Sequence, residues 1–218
     1  MKKRFYALLL CIVLSATIFS GCGKTSEANL GNNTQVSDNN YDSDEGFPLL
    51  EDDLIELYKD TETLYSYIVF GSLKYDTSKK IEKDNLVYYK VNEPAFESYD
   101  SFKTYLSNYF TEDFINREIL SPDSIRFIQD ENGDLYMMNG SRGENVFYAG
   151  HVFHPAEIEE NQISFTATAY YTNKQEPYDG QLFYTEPENN SDFSTQDFTF
   201  TLVKEGDSWK FDRFSCFF

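Results

Sequence analysis

The sequence is short of cysteine, histidine and basic residues, and each shortage argues against a class of protein. Three cysteines and two histidines in 218 residues leave few groups for disulfide scaffolds, metal centres or nucleophilic catalysis. With 18 basic residues against 37 acidic ones, the chain lacks the basic patches that neutralise nucleic-acid phosphates. Phosphate-binding glycine loops and Gly-x-Ser-x-Gly or Cys-x-x-Cys motifs are also missing. We therefore expect neither an enzyme nor a nucleic-acid-binding protein.

The few groups that could carry chemistry are better explained by structural roles. His151 and His154 stand three apart in a predicted strand, so their side chains point to opposite faces and do not make a metal pair. Cys216 lies in an aromatic segment, where a cysteine usually acts as a small core residue. The acidic segment Asp130–Asp134 lacks the distal glutamate of a calcium loop, and its Asn-Gly pair favours a hairpin turn. The sequence thus predicts no metal site and no cofactor.

One long apolar run interrupts the polar pattern, and it lies near the N-terminus. Three basic residues, 2–4, precede fifteen mostly apolar ones, 5–19, a length typical of a secretory signal and short of the ~20 residues of a membrane span. The Ser20-Gly21-Cys22 junction that follows resembles the lipobox of bacterial lipoproteins, which implies cleavage before Cys22 and lipidation of its thiol. A plain secretory signal cut elsewhere is the alternative. We expect residues 1–21 to be a signal peptide and the lipid to be the chain's only membrane contact.

The remainder divides into a linker and one domain. Residues 22–47 are rich in Asn, Ser, Asp and Gly without apolar periodicity, which predicts a disordered linker after the lipidated cysteine. Residues 48–218 are long enough for a single core. Removing the three basic residues of the signal peptide leaves 15 basic and 37 acidic residues, a net charge of −22. Such a charge can steer a domain towards basic partners, although a solvated acidic surface is the simpler explanation.

Apolar periodicity and turn residues divide the domain into a helical first half and a β-rich second half. Apolar residues at three- and four-residue spacing predict a long helix that starts at Pro48, in its first position, and that Gly71 ends. The segment 174–190 is polar, holds two prolines, and is interpreted as a long insertion between hairpins. The other predicted elements are a strand at Leu86–Val91, a helix at Ser101–Phe110, a short helix capped by Thr111, and strand pairs at Arg126–Ile128 with Leu135–Met138, Phe147–Ile158 with Ile163–Tyr171, and Phe193–Val203 with Trp209–Phe217.

This order of elements predicts an α+β fold in which N-terminal helices pack on a strongly bent antiparallel sheet. It resembles the NTF2-like cone fold, which begins with a long helix and ends with a hairpin such as the one around Trp209. A likeness of this kind concerns the fold and does not determine the function.

Three short segments resemble a particular family. Residues 105–114 (Tyr-Leu-Ser-Asn-Tyr-Phe-Thr-Glu-Asp-Phe), Gly133-Asp134-Leu135-Tyr136 and Ser141-Arg142-Gly143 are similar to segments of the IseA family of DL-endopeptidase inhibitors from Gram-positive bacteria. The resemblance spans roughly residues 86–171 and contains no reactive motif. It implies a partner, a peptidoglycan hydrolase of the NlpC/P60 type, and a role in restraining wall lysis. With the predicted lipid, it places the domain on the outer face of the cytoplasmic membrane.

A loop directly after the first hairpin is the candidate binding site. Two glycines bracket the arginine in residues 140–145, and the tight hairpin before them offers a rigid base for presenting a loop. We predict that Ser141, Arg142, Glu144 and Asn145 contact the partner, although an ordinary surface loop explains them equally well. The alternative function is a ligand-binding lipoprotein whose pocket is lined by Tyr88, Phe102, Tyr136 and Tyr170.

Overall fold

The structure is a computed structural model that describes residues 46–96, 98–121, 126–138 and 143–217. The predicted signal peptide, Cys22 and nearly all of the predicted linker lie outside these ranges. Within them, no helix is both long and apolar enough to cross a membrane. Gly46 and Phe47, at the end of the predicted linker, contact the domain: the Gly46 carbonyl accepts a hydrogen bond from His151, and Lys59 lies over the Phe47 ring.

Helix α1 spans Asp52–Phe70 and forms for the reasons that the sequence indicated. Its buried residues recur every three or four positions, two aspartates occupy its first turn, and it ends at Gly71 in the left-handed conformation with φ 66°. Its predicted start at Pro48 is wrong by four residues. Glu51 is still extended at ψ 153°, because a tight turn in which Leu50 N donates to Pro48 O precedes the helix.

The first sheet contains four antiparallel strands in the order β1-β2-β4-β3. Strand β2, Leu86–Val91, has the predicted bounds, and the hairpin of β3, Phe127–Gln129, and β4, Leu135–Met138, is confirmed. Its turn holds Gly133 at φ 85°, a value that glycine adopts without steric strain. Strand β1, Tyr75–Lys83, was not predicted, since its sequence is polar.

Two short helices connect the halves of the domain. Helix α2, Tyr99–Leu106, begins two residues before its predicted start, because Ser98 and Ser101 form a capping box at its N-terminus. It packs on the first sheet through Phe102, whose ring centroid is 5.1 Å from that of Phe127. Helix α3, Glu112–Phe114, is capped by Thr111 as predicted and runs into a π-helical turn at Ile115–Ile119.

The second sheet is larger and follows the predicted hairpins with one interruption. Its order is β5-β7-β8-β9, and the two-residue strand β6 also pairs with β7. The predicted strand 147–158 is broken around Pro155, which has no backbone N–H to donate, so β5 ends at Phe153. The strands are β5 Tyr148–Phe153, β6 Glu157–Ile158, β7 Gln162–Thr172, β8 Phe193–Glu205 and β9 Ser208–Arg213.

The core lies where α1 packs on the second sheet. The Tyr58 ring stands at the centre of a cluster of phenylalanines, with centroid distances of 5.5 to 6.4 Å. Aromatic rings in such tilted and edge-on arrangements contribute energy beyond their buried area. The α+β class is therefore confirmed, with the strands divided between two sheets. The rings around Tyr58 belong to Phe153, Phe165, Phe200, Phe211 and Phe214.

The segment from Tyr109 to Thr111, part of the family resemblance, attaches the helices to the second sheet. Phe211 N donates to Tyr109 O at 2.8 Å, and Thr111 N donates to Phe211 O at 3.0 Å. The Thr111 hydroxyl also donates to Asp212 Oδ1 at 2.6 Å. These bonds pair backbone groups on the free edge of β9. The similarity to the family at residues 109–111 therefore concerns a contact that holds the fold together and not the binding loop.

The insertion between β7 and β8 folds back on the opposite edge of that sheet. Phe183 forms a β-bridge with Gly150, in which Phe183 N donates to Ala149 O at 3.2 Å and His151 N donates to Phe183 O at 3.1 Å. The Phe183 ring packs on Tyr170 and Phe193, at 5.4 and 5.3 Å. The insertion thus covers the edge of β5 and one end of the outer face of the sheet.

Candidate functional site

The described part of the predicted binding loop, Gly143–Asn145, is exposed, as are Val146 and Phe147, which lead from it into β5. Asn145 shapes its end: its Oδ1 accepts from Phe147 N at 3.1 Å, and its carbonyl accepts from Tyr148 N at 2.9 Å. Bonds from Thr172 N to Phe147 O and from Tyr178 N to Val146 O, both 2.8 Å, fix the loop to β7 and to the insertion. The loop therefore stands on a fixed base.

The structure describes two of the four residues predicted to contact the partner. Glu144 and Asn145 are both exposed and lie next to each other on this loop. Ser141 and Arg142 lie outside the described residues. All four contacts with a partner stay predictions.

A pocket of about 370 Å³ opens between the loop and the insertion. Its lining combines two predicted residues with four that the sequence analysis did not select. Tyr178 and Leu182 come from the insertion, whose sequence is mostly polar; the short stretch Leu182-Phe183-Tyr184 within it was a signal that could have pointed to this wall. The lining residues are Glu144, Asn145, Val146, Tyr148, Tyr178 and Leu182.

His151 lies behind the pocket and connects it to the start of the domain. Its Nδ1 accepts from the Tyr148 hydroxyl at 2.5 Å, and its Nε2 donates to Gly46 O at 2.9 Å, an assignment that follows from the carbonyl partner. Burial lowers the pKa of His151 from 6.5 to about 4, against the smaller opposing effect of the Gly46 hydrogen bond. His151 is thus neutral at physiological pH and has a structural role.

The two histidines are not brought together. His154, just after β5, pairs through Nε2 with the Thr168 hydroxyl at 2.8 Å, and Thr168 in turn donates to Asp197 at 2.8 Å. Among the described residues, no group of three or more His, Cys, Asp or Glu side chains could hold a metal ion.

Cys216 is a free, half-buried thiol near the Glu62 carboxylate. Burial, and to a lesser degree the charge of Glu62, raises the pKa of the Cys216 thiol to about 12. A reactive cysteine requires the opposite shift, towards the thiolate. The Cys216 thiol is therefore protonated at neutral pH.

The acidic turn at Asp130–Asp134 uses its carboxylate internally. Asp130 Oδ1 accepts from Asn132 N at 2.9 Å and from Asp134 N at 2.8 Å. This is the hydrogen bonding of an Asx-type hairpin turn, as predicted.

The aromatic residues proposed for a ligand pocket lie in different places. Phe102 packs in the core on the face of the first sheet that carries Phe127. Tyr136 pairs with Ile128 and not with Phe127, so it lies on the other face, as does Tyr88. Tyr170 lies under the insertion, against Phe183 and Phe193. These four side chains do not line one cavity.

Taken together, the described residues form an α+β domain in which an exposed loop with a hydrogen-bonded base lies beside a pocket. The sequence model of the family described as the IseA DL-endopeptidase inhibitor matches residues 48–216. The chain belongs to this family. No curated protein matches the sequence.

Proposed function

We propose that the chain inhibits peptidoglycan DL-endopeptidases of the NlpC/P60 type and so restrains lysis of the cell wall. The family match, which extends over residues 48–216, is the observation that carries this proposal. In this role the domain has no catalytic task, which agrees with a buried, neutral His151 and a protonated Cys216.

The proposed place of action is the outer face of the cytoplasmic membrane of a Gram-positive bacterium. The lipobox-like junction at Gly21-Cys22 supports lipid anchoring, and two acyl chains on one cysteine suffice for stable attachment. A flexible linker of about 25 residues has a root-mean-square reach of roughly 25–30 Å. The domain would then meet hydrolases in the innermost zone of the wall.

Inhibition would follow from placing the loop of residues 140–145 at the rim of the hydrolase cleft. Arg142 would donate to carbonyl or carboxylate oxygens there, and Glu144 would face basic residues. The net charge of −22 would accelerate encounter with a basic enzyme without adding much affinity. The fixed base of the loop reduces the entropy lost on binding.

Titration of the purified domain against NlpC/P60-type hydrolases tests the proposal, with the turbidity of a peptidoglycan suspension as the readout. We expect Arg142→Ala to raise the inhibition constant about thirtyfold at all salt concentrations, the effect of truncating a central charged anchor. Arg213→Ala, which removes an exposed arginine at the end of β9, is the matched control. Absence of inhibition at micromolar concentration would refute the proposed function, whereas inhibition that survives Arg142→Ala would refute only this site.

A further inference from the structure

Exposed apolar side chains gather around the pocket. Val146 is 54% exposed, Leu182 42% and Phe147 38%, although they come from two segments more than thirty residues apart in the chain. Single exposed apolar residues are ordinary, but adjacent ones around a concave site mark places where another molecule binds.

The insertion holds its side of the pocket rigidly. The Phe183–Gly150 bridge fixes the residue that follows Leu182, and the Tyr178 hydroxyl donates to Gln181 O at 2.9 Å. The bond from Tyr178 N to Val146 O joins both walls. The pocket is thus formed before any partner arrives, which lowers the entropic cost of occupying it.

The surroundings of the pocket are acidic. Glu144 is part of the lining, and Glu176 and Asp179 are exposed two residues before and one residue after the lining residue Tyr178. The insertion 174–190 carries four acidic residues and one lysine. A second copy of this chain would bring the same negative rim against itself, which disfavours self-association through this face. The complementary partner has an apolar centre with lysines or arginines around it.

We propose that the wall formed by Val146 and Leu182 is the main apolar anchor site for the DL-endopeptidase. It receives one apolar or aromatic side chain of the enzyme, whose basic neighbours meet Glu144 and Asp179. This inference rests on the proposed function and deepens it: the pocket adds an apolar anchor, built from the loop side and the insertion, to the charged contacts of the loop. A volume of about 370 Å³ lies at the lower end of the roughly 300–1,000 Å³ range of binding pockets and suits one large side chain.

The test compares Leu182→Asp and Val146→Asp with Ile158→Asp in the full chain carrying Cys22→Ala. Ile158 is an equally suitable exposed residue, at 65%, but it pairs with Ile163 at the far end of β7, roughly 30 Å from Thr172. Both pocket variants should raise the inhibition constant at least tenfold, because an unpaired carboxylate would be buried against an apolar group. Ile158→Asp should leave inhibition unchanged, and Leu182→Ile should retain it. All variants should keep the thermal unfolding midpoint of the parent chain.

Salt dependence separates the anchor from the acidic rim. The effect of Leu182→Asp should persist at high ionic strength, whereas Asp179→Asn should slow association only at low ionic strength. If the parent chain inhibits and the correctly folded Leu182→Asp and Val146→Asp variants inhibit equally well, the anchor is refuted while the proposed function stands. If the parent chain itself fails to inhibit, the proposed function falls and the anchor with it.

Discussion

Replacing His151 should change how the stability of the domain depends on pH. Its imidazole is buried, and its pKa falls from 6.5 in the unfolded chain to about 4 in the folded one. Between these values the unfolded chain binds a proton that the folded domain does not, so stability is full above pH 6.5 and declines as the pH falls towards 4. At 1.36 kcal/mol for each pKa unit, the titration of this histidine alone should lower the free energy of unfolding by about 2 kcal/mol between pH 7 and pH 5.

The assay is urea unfolding of the wild type and of His151→Gln at pH 7, 6 and 5. Glutamine keeps a donor for Gly46 O and an acceptor for the Tyr148 hydroxyl, but it does not titrate. The variant's free energy of unfolding should therefore decline by about 2 kcal/mol less over this range than that of the wild type. His154→Gln changes the other histidine of the chain and keeps His151, so its free energy of unfolding should still show the decline that His151 causes between pH 7 and pH 5. An equally steep decline in His151→Gln and in the wild type would refute the burial argument.

The elements that the sequence predicted well are those in which several local signals agree. Leu86–Val91 combines β-branched and aromatic residues with a turn on its N-terminal side, and the observed strand has the same bounds. Gly71 ends helix α1 and Gly133 lies in the β3–β4 turn, and both have positive φ. Because glycine adopts positive φ without strain, its position in the sequence indicated both sites. When propensity, periodicity and turn chemistry agree, little depends on distant residues.

Strand β1 shows where local signals are insufficient. Its residues 77–80, Thr-Ser-Lys-Lys, have no apolar alternation, and most of its side chains are exposed. It exists as an edge strand because its backbone pairs with β2 across a turn whose residues Asp84 and Asn85 both have positive φ. The division of the strands between two sheets could not be predicted from the sequence either. It depends on β2 pairing with β4, and these strands are separated in the chain by α2 and more than forty residues.

The residues of the candidate site also divide into some that the sequence could predict and some that it could not. Glu144 and Asn145 could be selected from the sequence, since a glycine-flanked polar loop after a hairpin is a local feature. Tyr178 and Leu182 could not, because the insertion has no periodicity of its own. Its course depends on Phe183 meeting Gly150, some thirty residues earlier in the chain, at a position where only a glycine leaves room.

Four further changes test separate parts of this account. Cys22→Ala should abolish lipidation and release the protein from membranes or leave it unprocessed; a processed, membrane-bound variant would contradict the anchor. Gly133→Val should lower stability by roughly 1–3 kcal/mol in thermal unfolding, because valine is strained at φ 85°. Glu62→Gln should raise the thermal unfolding midpoint at pH 7.5 but not at pH 4. Burial raises the pKa of Glu62, so the ionised carboxylate destabilises the folded state at pH 7.5. This destabilisation disappears as the carboxyl is protonated at low pH. Gly150→Ala should detach the insertion, because a Cβ there would lie 2.0 Å from Phe183 O, and backbone held by β-bridge bonds cannot yield that far. Hydrogen exchange should then accelerate at the Phe183 amide while the β8–β9 amides stay protected, and inhibition should weaken as it does for Leu182→Asp. Gly143→Ala, where an added Cβ meets nothing within 4 Å, is the control for the hydrogen-exchange measurement. Unchanged protection at Phe183 in Gly150→Ala would show that the bridge does not hold the insertion, and the preformed pocket would lose its basis.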